Sequence, residues 1–458
     1  MWGSSDVKAG QHLTPADPTG DGTPLDELLL ETLDRWGEGW HDVLAELRRV
    51  DELSLRFRDD RCPELLQSRR VDTGVALRRV DPSTGTARQL SAPDVATARC
   101  LLRGQEPPPP APAQSDETDP ARLDAKGLTA ALDGLAVDEG ARLELRASVT
   151  DVTSRVLTSE WGERRRRRAW CRVVLELEHE GRRFRRGIGA TERPSPQMVR
   201  HRAEELVATA RTHRSDDRQA PASGPAAVVL SPAATAVLVH EAVGHALEGD
   251  VASRDDSALW SAREGLSMGR PITVVDDPTR SDGPACWHHD DEGVLARPAT
   301  LVEEGRVVGC VHDLVSAGFD PRWLTGHARR ASPRDPILPR LSNTALLGAD
   351  APVDELLHEL REGLLIEQLS GGHADPRSGE LRLVVAEGRR VEDGRPTAPL
   401  EPCVLVGRAA DVLAGIRALG DDFAWDDGTA TCGRHGQWLP VSAGGPSLLL
   451  AKGALTVA

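Results

Sequence analysis

The sequence contains no tyrosine and only four phenylalanines, and Lys8, Lys126 and Lys452 are its only lysines. Arginine therefore carries almost all the positive charge, a bias we read as GC-rich codon usage rather than chemistry. Positive charge is itself scarce: 56 Lys and Arg against 72 Asp and Glu leave a net charge of −16. A nucleic-acid binder normally carries a basic footprint, so the charge balance argues against that class. Paired cysteines are missing as well. Cys62, Cys100, Cys171, Cys286, Cys310, Cys403 and Cys432 are scattered, odd in number and without a CxxC pair. Such usage fits free thiols in a reducing cytoplasm better than a disulfide framework. The first residues hold no apolar core of the kind a secretory signal needs. The most apolar stretch, residues 226–247, is interrupted by Ser231-Pro232 and carries His240, Glu241 and His245. Ionisable groups are costly inside a bilayer, so this stretch reads as a buried helix and not as a membrane span. The expected setting is the cytoplasm.

What is present divides the 458 residues into unequal parts. Residues 1–24 are rich in Gly, Pro and Asp and read as disordered. Residues 25–218 read as a mixed α/β domain, interrupted at 104–122 by a proline-rich acidic linker or loop. Within that domain "DELLLETLDRW" and "WHDVLAELRRV" carry apolar residues at helical spacing, whereas "VDTGVALRRVD" alternates like a strand. "AKGLTAALDGLAV" reads as a helix. "ARLELRASVTDVTSRVLTSEW" and "AWCRVVLELEHEGRRFRRGIGA" read as an antiparallel pair or meander. The five arginines at 164–168 fall between them, and in an acidic, Arg-biased chain they read as a solvated hairpin tip or strand end before any phosphate or acidic-peptide contact. Residues 219–458 change character: short apolar runs alternate with Gly, Asp and Pro turns, and "EEGR" and "EDGR" suit hairpins. The expected fold class is α+β, with a mainly antiparallel β C-terminal domain around one buried helix.

That helix carries the chemistry. In "AVLVHEAVGHALEGD", residues 236–250, two histidines and a glutamate interrupt an apolar run. Ser231 suits an N-cap, Pro232 the first helical position, and Gly249 a C-terminal stop. Buried His and Glu need partners, because unpaired buried polar groups are expensive. The spacing is H-E-x-x-x-H, one residue longer than the H-E-x-x-H of common zinc proteases. His240 and His245 would lie about 140° apart on a regular α-helix and could not share one ion. A π-type turn or a break at Gly244 would swing His245 back toward His240. Catalytic zinc usually takes three protein ligands and keeps one position open. Candidates for the third are Cys286, His288, His289, Asp290, Asp291, Glu292, His373 and Cys432, and composition does not choose among them.

The sequence resembles the TldD/PmbA metallopeptidase family, on its zinc-bearing TldD-like side. The resemblance rests on "HEAVGHALEGD", "VVDDPT", "DDEG", "TGHARRAS", "PRLSNT", "GGHADPRSGE" and "CGRHGQWLPVSAGGPSLLL", in that order across residues 221–458. It implies Zn2+ held by His240, His245 and Cys432, with Glu241 as general base. It also implies hydrolysis of peptides or unfolded segments, in a dimer with a related subunit that lacks the HExxxH motif; a homodimer is the variant of that arrangement. Glu248, three residues after His245, is placed to receive an imidazole N–H. Arg329 and Arg330 are candidates for a peptide carboxylate, and Gly371 and Gly372 for close approach of a substrate strand. The aspartates of "VVDDPT" and "DDEG" read as turn formers, and Cys62, Cys100, Cys171, Cys310 and Cys403 as inert buried thiols. Two other readings remain at this stage: a zinc enzyme that matures a modified peptide or natural product, and a non-catalytic binding subunit.

Overall fold

The computed structural model describes residues 25–58, 64–106, 123–213, 217–253 and 256–458. The expectations for residues 1–24, for Cys62 and for all but the start of the 104–122 stretch lie outside the described residues. The chain is α+β, and most of its strand pairs are antiparallel.

The first half builds one sheet. Its elements are α1 (Leu25–Trp36), β1 (Trp40–Arg58), β2 (Glu64–Val80), β3 (Ala87–Ala92), α2 (Val95–Leu102), α3 (Ala125–Leu132), β4 (Arg142–Thr158), β5 (Gly162–His179), β6 (Arg182–Ala190) and α4 (Pro196–Thr212). The strand order is β3-β2-β1-β4-β5-β6, antiparallel throughout. Helices α1 and α2 pack with Val43, Ala45 and Leu77, while α3 and α4 cover Leu145, Leu175 and Phe184. The expectation of a helix in "WHDVLAELRRV" fails here, because residues 40–50 lie in β1. The reason is that β1 is paired along both edges and buried on both faces. Val43 and Ala45 meet the α1 side while Leu44 packs with Ala76 and Val156. A strand buried on both faces carries consecutive apolar residues and does not alternate.

The second half centres on a barrel. Strand β7 (Gly224–Leu230) pairs antiparallel with Leu448–Val457 and parallel with Gly363–Ala374. Leu448–Val457 continues to Cys403–Arg408, then to Glu380–Glu392, which returns to Gly363–Ala374 and closes five strands into a ring. A second sheet runs in the order Arg306–Val307, Ala299–Glu303, Thr273–Asp276, Asn343–Leu347, Ser442–Gly445, Ala424–Trp425. Both expected hairpins form. Glu304 and Gly305 have φ of 49° and 76°, and Asp393 and Gly394 have 49° and 75°. Positive φ at both central residues is the type I′ turn, whose twist matches the strands it joins. One apolar cluster joins Val228, Leu230, Ile366, Leu383, Leu405 and Leu450 of the barrel to Leu238, Val239, Val243 and Leu247. Among the described residues, no helix is long and apolar enough to cross a membrane.

The two halves are joined by an apolar cluster of Trp40 and Val80 with Val294, Leu314 and Leu324, and by charged and backbone contacts. Arg166 pairs with Asp291, Arg78 with Glu292 at 2.7 Å, and Arg186 with Glu387 at 2.9 Å. The expectation of a solvated hairpin tip or strand end holds for Arg165 and Arg167 and fails for Arg166 and Arg168. Residues 164–168 lie inside β5, where alternation turns Arg166 and Arg168 inward toward Asp291 while Arg165 stays exposed beside Glu163.

Candidate metal centre

Helix α5 (Pro232–Val239) starts as its sequence requires. The Ser231 hydroxyl accepts the Ala234 N–H at 3.3 Å and donates to the Glu367 carbonyl at 2.7 Å, and Pro232 begins the helix. The helix is regular only to Val239. Residues His240–Gly244 form a π turn and His245–Leu247 a 3-10 turn. A turn closed by i to i+5 hydrogen bonds brings residues five apart onto one side. The two imidazoles accordingly meet, with ring centroids 4.9 Å apart. Gly244 does not act through unusual backbone angles, since its φ is −56°. A Cβ there would come within 2.5 Å of Leu341 Cδ1, so the missing side chain lets the turn pack tightly. Gly249 is not a C-terminal stop either. Glu248 is extended (φ −75°, ψ 128°) and Gly249 opens a short helix, Gly249–Ala252, where a Cβ would crowd Ser316 Oγ at 2.7 Å.

Cys432 reaches this turn from the hairpin Thr431–Arg434 and Gln437–Pro440. Its Sγ lies 3.4 Å from His245 Nε2, and donor atoms of His240, His245 and Cys432 all fall within 4.8 Å of one another. Ligands of a tetrahedral zinc sit roughly 3.3–3.6 Å apart, given bonds of about 2.0–2.3 Å. His240 Nδ1 is buried without a hydrogen-bond partner, so the pocket contains an orphaned ring nitrogen. This donor set, two imidazoles and one thiol, fits zinc.

The same three groups are coupled electrostatically, Cys432 and each histidine favouring the charged form of the other. Burial alone would raise the Cys432 thiol, but His245 and then His240 outweigh it and hold the group well below the usual thiol range. Burial works against protonating His245, and Glu248 and Cys432 override it, so its pKa is raised. His240 is raised for the same reason, through Cys432. Glu248 is buried and accepts from His245 Nδ1 at 3.1 Å, which turns Nε2 toward Cys432. Arg434 (3.1 Å) and Arg340 (3.8 Å) balance its charge. Arg340 also donates to the Cys432 carbonyl at 2.7 Å.

The cluster opens into a cavity of about 920 Å3 lined by Glu241, Gly371, Gly372, His373 and Trp438, among others. A Cβ on Gly372 would approach Glu241 Cγ to 2.8 Å, so this glycine makes room for the carboxylate. The opposite wall comes from the first half: Arg172, Arg185, Arg186 and Arg202 of β5, β6 and α4. Sequence reasoning missed these four. In a chain whose positive charge is nearly all arginine, no local signal marks them.

Other candidates lie elsewhere. Arg329 and Arg330 are buried and do not line this cavity. Arg329 donates to the carbonyls of Leu341 (2.6 Å) and Pro440 (2.9 Å) and stacks on Trp287, and Arg330 faces Asp42 at 4.0 Å. Asp290 accepts the N–H groups of Glu292, Val294 and Ala328. Asp291 receives Arg166, and Glu292 receives Arg78 and the Leu314 N–H. Asp276 is no simple turn former: it is buried and binds His327 (3.1 Å), the Ser342 N–H and Thr344. Cys286, His288 and His289 stay outside the cavity, and His373 lines it without joining the cluster. Cys171 and Cys310 are buried thiols, as expected, but Cys100 and Cys403 are only half-buried.

Comparison with known proteins adds to the geometry. Residues 223–456 match the PmbA/TldA metallopeptidase C-terminal domain. The chain belongs to the TldD/PmbA family. Its relatives in this family include a "Metalloprotease TldD homolog" of Haemophilus influenzae, 34% identical over 222 residues, or 48% of this chain and 46% of that protein. A "Zinc metalloprotease TldD homolog" of Saccharolobus solfataricus is 30% identical over 234 residues, 51% and 52% of the two chains. The chain thus spans about half the length of the curated relatives it matches. The fold extends further: TldE from Thermococcus kodakarensis superimposes with a TM-score of 0.68 over 95% of this chain and 99% of that one, at 14% identity.

Proposed function

We propose that the chain is a zinc peptidase of the TldD type, with His240, His245 and Cys432 holding Zn2+ and Glu241 acting as general base. The observation that carries this reading is the convergence of two imidazoles and a thiol at one end of a cavity that Glu241 also lines. The names of the curated relatives, one of them a zinc metalloprotease, support it. Bound zinc would supply a Lewis acid that makes water acidic near neutrality and polarises the scissile carbonyl. Glu241 takes the proton of the attacking water and returns it to the leaving amine. Glu248 holds the His245 ring in place, and Gly371 and Gly372 leave space for an extended substrate beside Glu241. A cavity walled by both halves suits peptides and unfolded segments rather than folded proteins. We assign the first-half sheet to a domain at 25–218 and the catalytic unit to 219–458. The likeness to TldE supports pairing with a related subunit that lacks the HExxxH motif. The free thiols among the described cysteines suit a cytoplasmic protein.

The test is turnover of a peptide library by the chain, expressed with such a partner, against Glu241→Gln. The variant should keep its zinc and lose about 10²–10⁴-fold in rate. Equal turnover by the two proteins would rule out Glu241 as the base.

A further inference from the structure

The cationic wall of the cavity is not uniform. Arg186 is held by both oxygens of Glu387 at 2.9 Å, Arg202 by Glu205 at 2.8 Å, and Arg434 by Asp250 at 2.7 and 2.9 Å. Arg185 donates to the Thr429 hydroxyl and lies 3.6 Å from Asp427. Arg172 differs from all of these. Its Nε is buried without a hydrogen-bond partner, and among the described residues no carboxylate lies within ion-pairing distance of it.

Its place in the sheet explains why it stays free. In the β4-β5-β6 register Arg172 stands between Ser148 and Gly189, so neither cross-strand neighbour offers a large or acidic side chain. It lines the cavity of the His–His–Cys cluster, and it also lines a second cavity of about 560 Å3 along the same sheet face, beside Glu52, Ser54 and Ser148. Arg172 therefore stands where the two spaces meet. A half-buried guanidinium that no carboxylate pairs directly is a favourable site for a carboxylate, which it can bind through two parallel hydrogen bonds.

We propose that Arg172, backed by Arg185, forms a carboxylate subsite that receives an acidic group of a peptide substrate as it lies in the cavity. This rests on the peptidase reading above. The carboxylate has two sources, the peptide's own C terminus or an Asp or Glu side chain, and the chemistry of recognition is shared. Burial disfavours the charged form of Arg172, repulsion from Arg185 and Arg146 adds to this, and Asp427 and Glu176 offset only part of it, so a bound carboxylate relieves the remainder.

The probe is a set of three fluorescent peptides of one alanine-rich sequence. One ends in a free carboxylate, one in a carboxamide, and one in a carboxamide with an internal glutamate. Their affinities are measured by anisotropy on the full chain carrying Glu241→Gln, with and without a second substitution, Arg172→Gln or Arg172→Lys. The expected result is a preference of about tenfold for at least one acidic peptide over the neutral one, the ratio that a single charge-assisted pair supplies. Arg172→Gln should bring the ratio near unity, and Arg172→Lys should keep part of it. Unchanged zinc content serves as the check that the variants fold. Preference for the first peptide alone identifies the C terminus, and preference for the third identifies a side chain. Equal affinity for acidic and neutral peptides, including no binding of any, overturns the proposal, as does a preference that Arg172→Gln leaves intact. Absence of turnover in the Glu241-intact protein with the acidic preference retained would instead overturn the peptidase reading alone.

Discussion

Gly189→Ala is the substitution that best separates two opposed effects in this structure. Gly189 lies in β6, where its N–H donates to the Asp427 carbonyl at 2.6 Å and the backbone of Gly428 packs against its Cα. A methyl group there would stand 2.9 Å from Gly428 Cα and closer still to the Gly428 carbonyl. Carbon atoms settle at about 3.5–4.0 Å, and both obstacles are main chain, so the loop has to retreat. Overpacking of this kind costs about 1–3 kcal/mol, and the weakened hydrogen bond adds ~1 kcal/mol. Alanine in place of glycine also restricts the unfolded chain, which is worth about 0.4–1 kcal/mol in the other direction. The net expectation is a loss of about 1–3.5 kcal/mol, read as a lower midpoint in chemical denaturation. The loop continues from Gly428 into the hairpin that bears Cys432, so the variant should also bind zinc more weakly in a chelator competition. A Gly189→Ala protein as stable as wild type, with the same zinc affinity, would refute the idea that the first-half sheet positions the cysteine.

Two further outcomes follow from groups around the cluster. Glu248→Gln removes the charged acceptor of His245 and leaves Arg434 and Arg340 without their carboxylate. Zinc affinity should fall about 10–100-fold by competition with a metal-sensitive dye, and an unchanged affinity would mean that the His245 ring needs no such partner. Burial, assisted by Asp427, raises Asp426 from 3.8 to about 6. Between those values the folded chain holds this proton more tightly than the unfolded chain does, so its contribution to stability is full below pH 4 and falls as pH rises toward 6. Unfolding curves at pH 4, 5 and 6 should show the stability of wild type relative to Asp426→Asn declining by roughly 2–3 kcal/mol across that window; a constant difference would contradict the shift.

The metal-site segment was legible because its chemistry conflicts with its surroundings. Two histidines and a glutamate in an apolar run need partners, and a spacing of five cannot serve one ion without a distorted turn. The π turn at His240–Gly244 resolves that conflict. The part assigned to Gly244 was wrong in mechanism, because its contact with Leu341 lies in the tertiary structure and leaves no local mark. The same limit hid the nature of β1. A central strand buried on both faces carries a helix-like spacing of apolar residues, and only its partners β2 and β4 decide its form. The arginines show the limit most plainly. Arg166 is half of an ion pair with Asp291, Arg329 caps carbonyls of the core, and Arg172 faces the cavity, yet in sequence they are alike. Their roles depend on which strand face meets which half of the molecule.

The most direct measurement is the zinc content per chain of the wild-type protein and of Cys432→Ser, by elemental analysis after exhaustive dialysis. The three-ligand site predicts about one zinc in the wild type and a large loss in the variant. A folded wild-type chain without zinc, or a Cys432→Ser chain that keeps a full equivalent, would contradict the assignment of His240, His245 and Cys432 as one metal site.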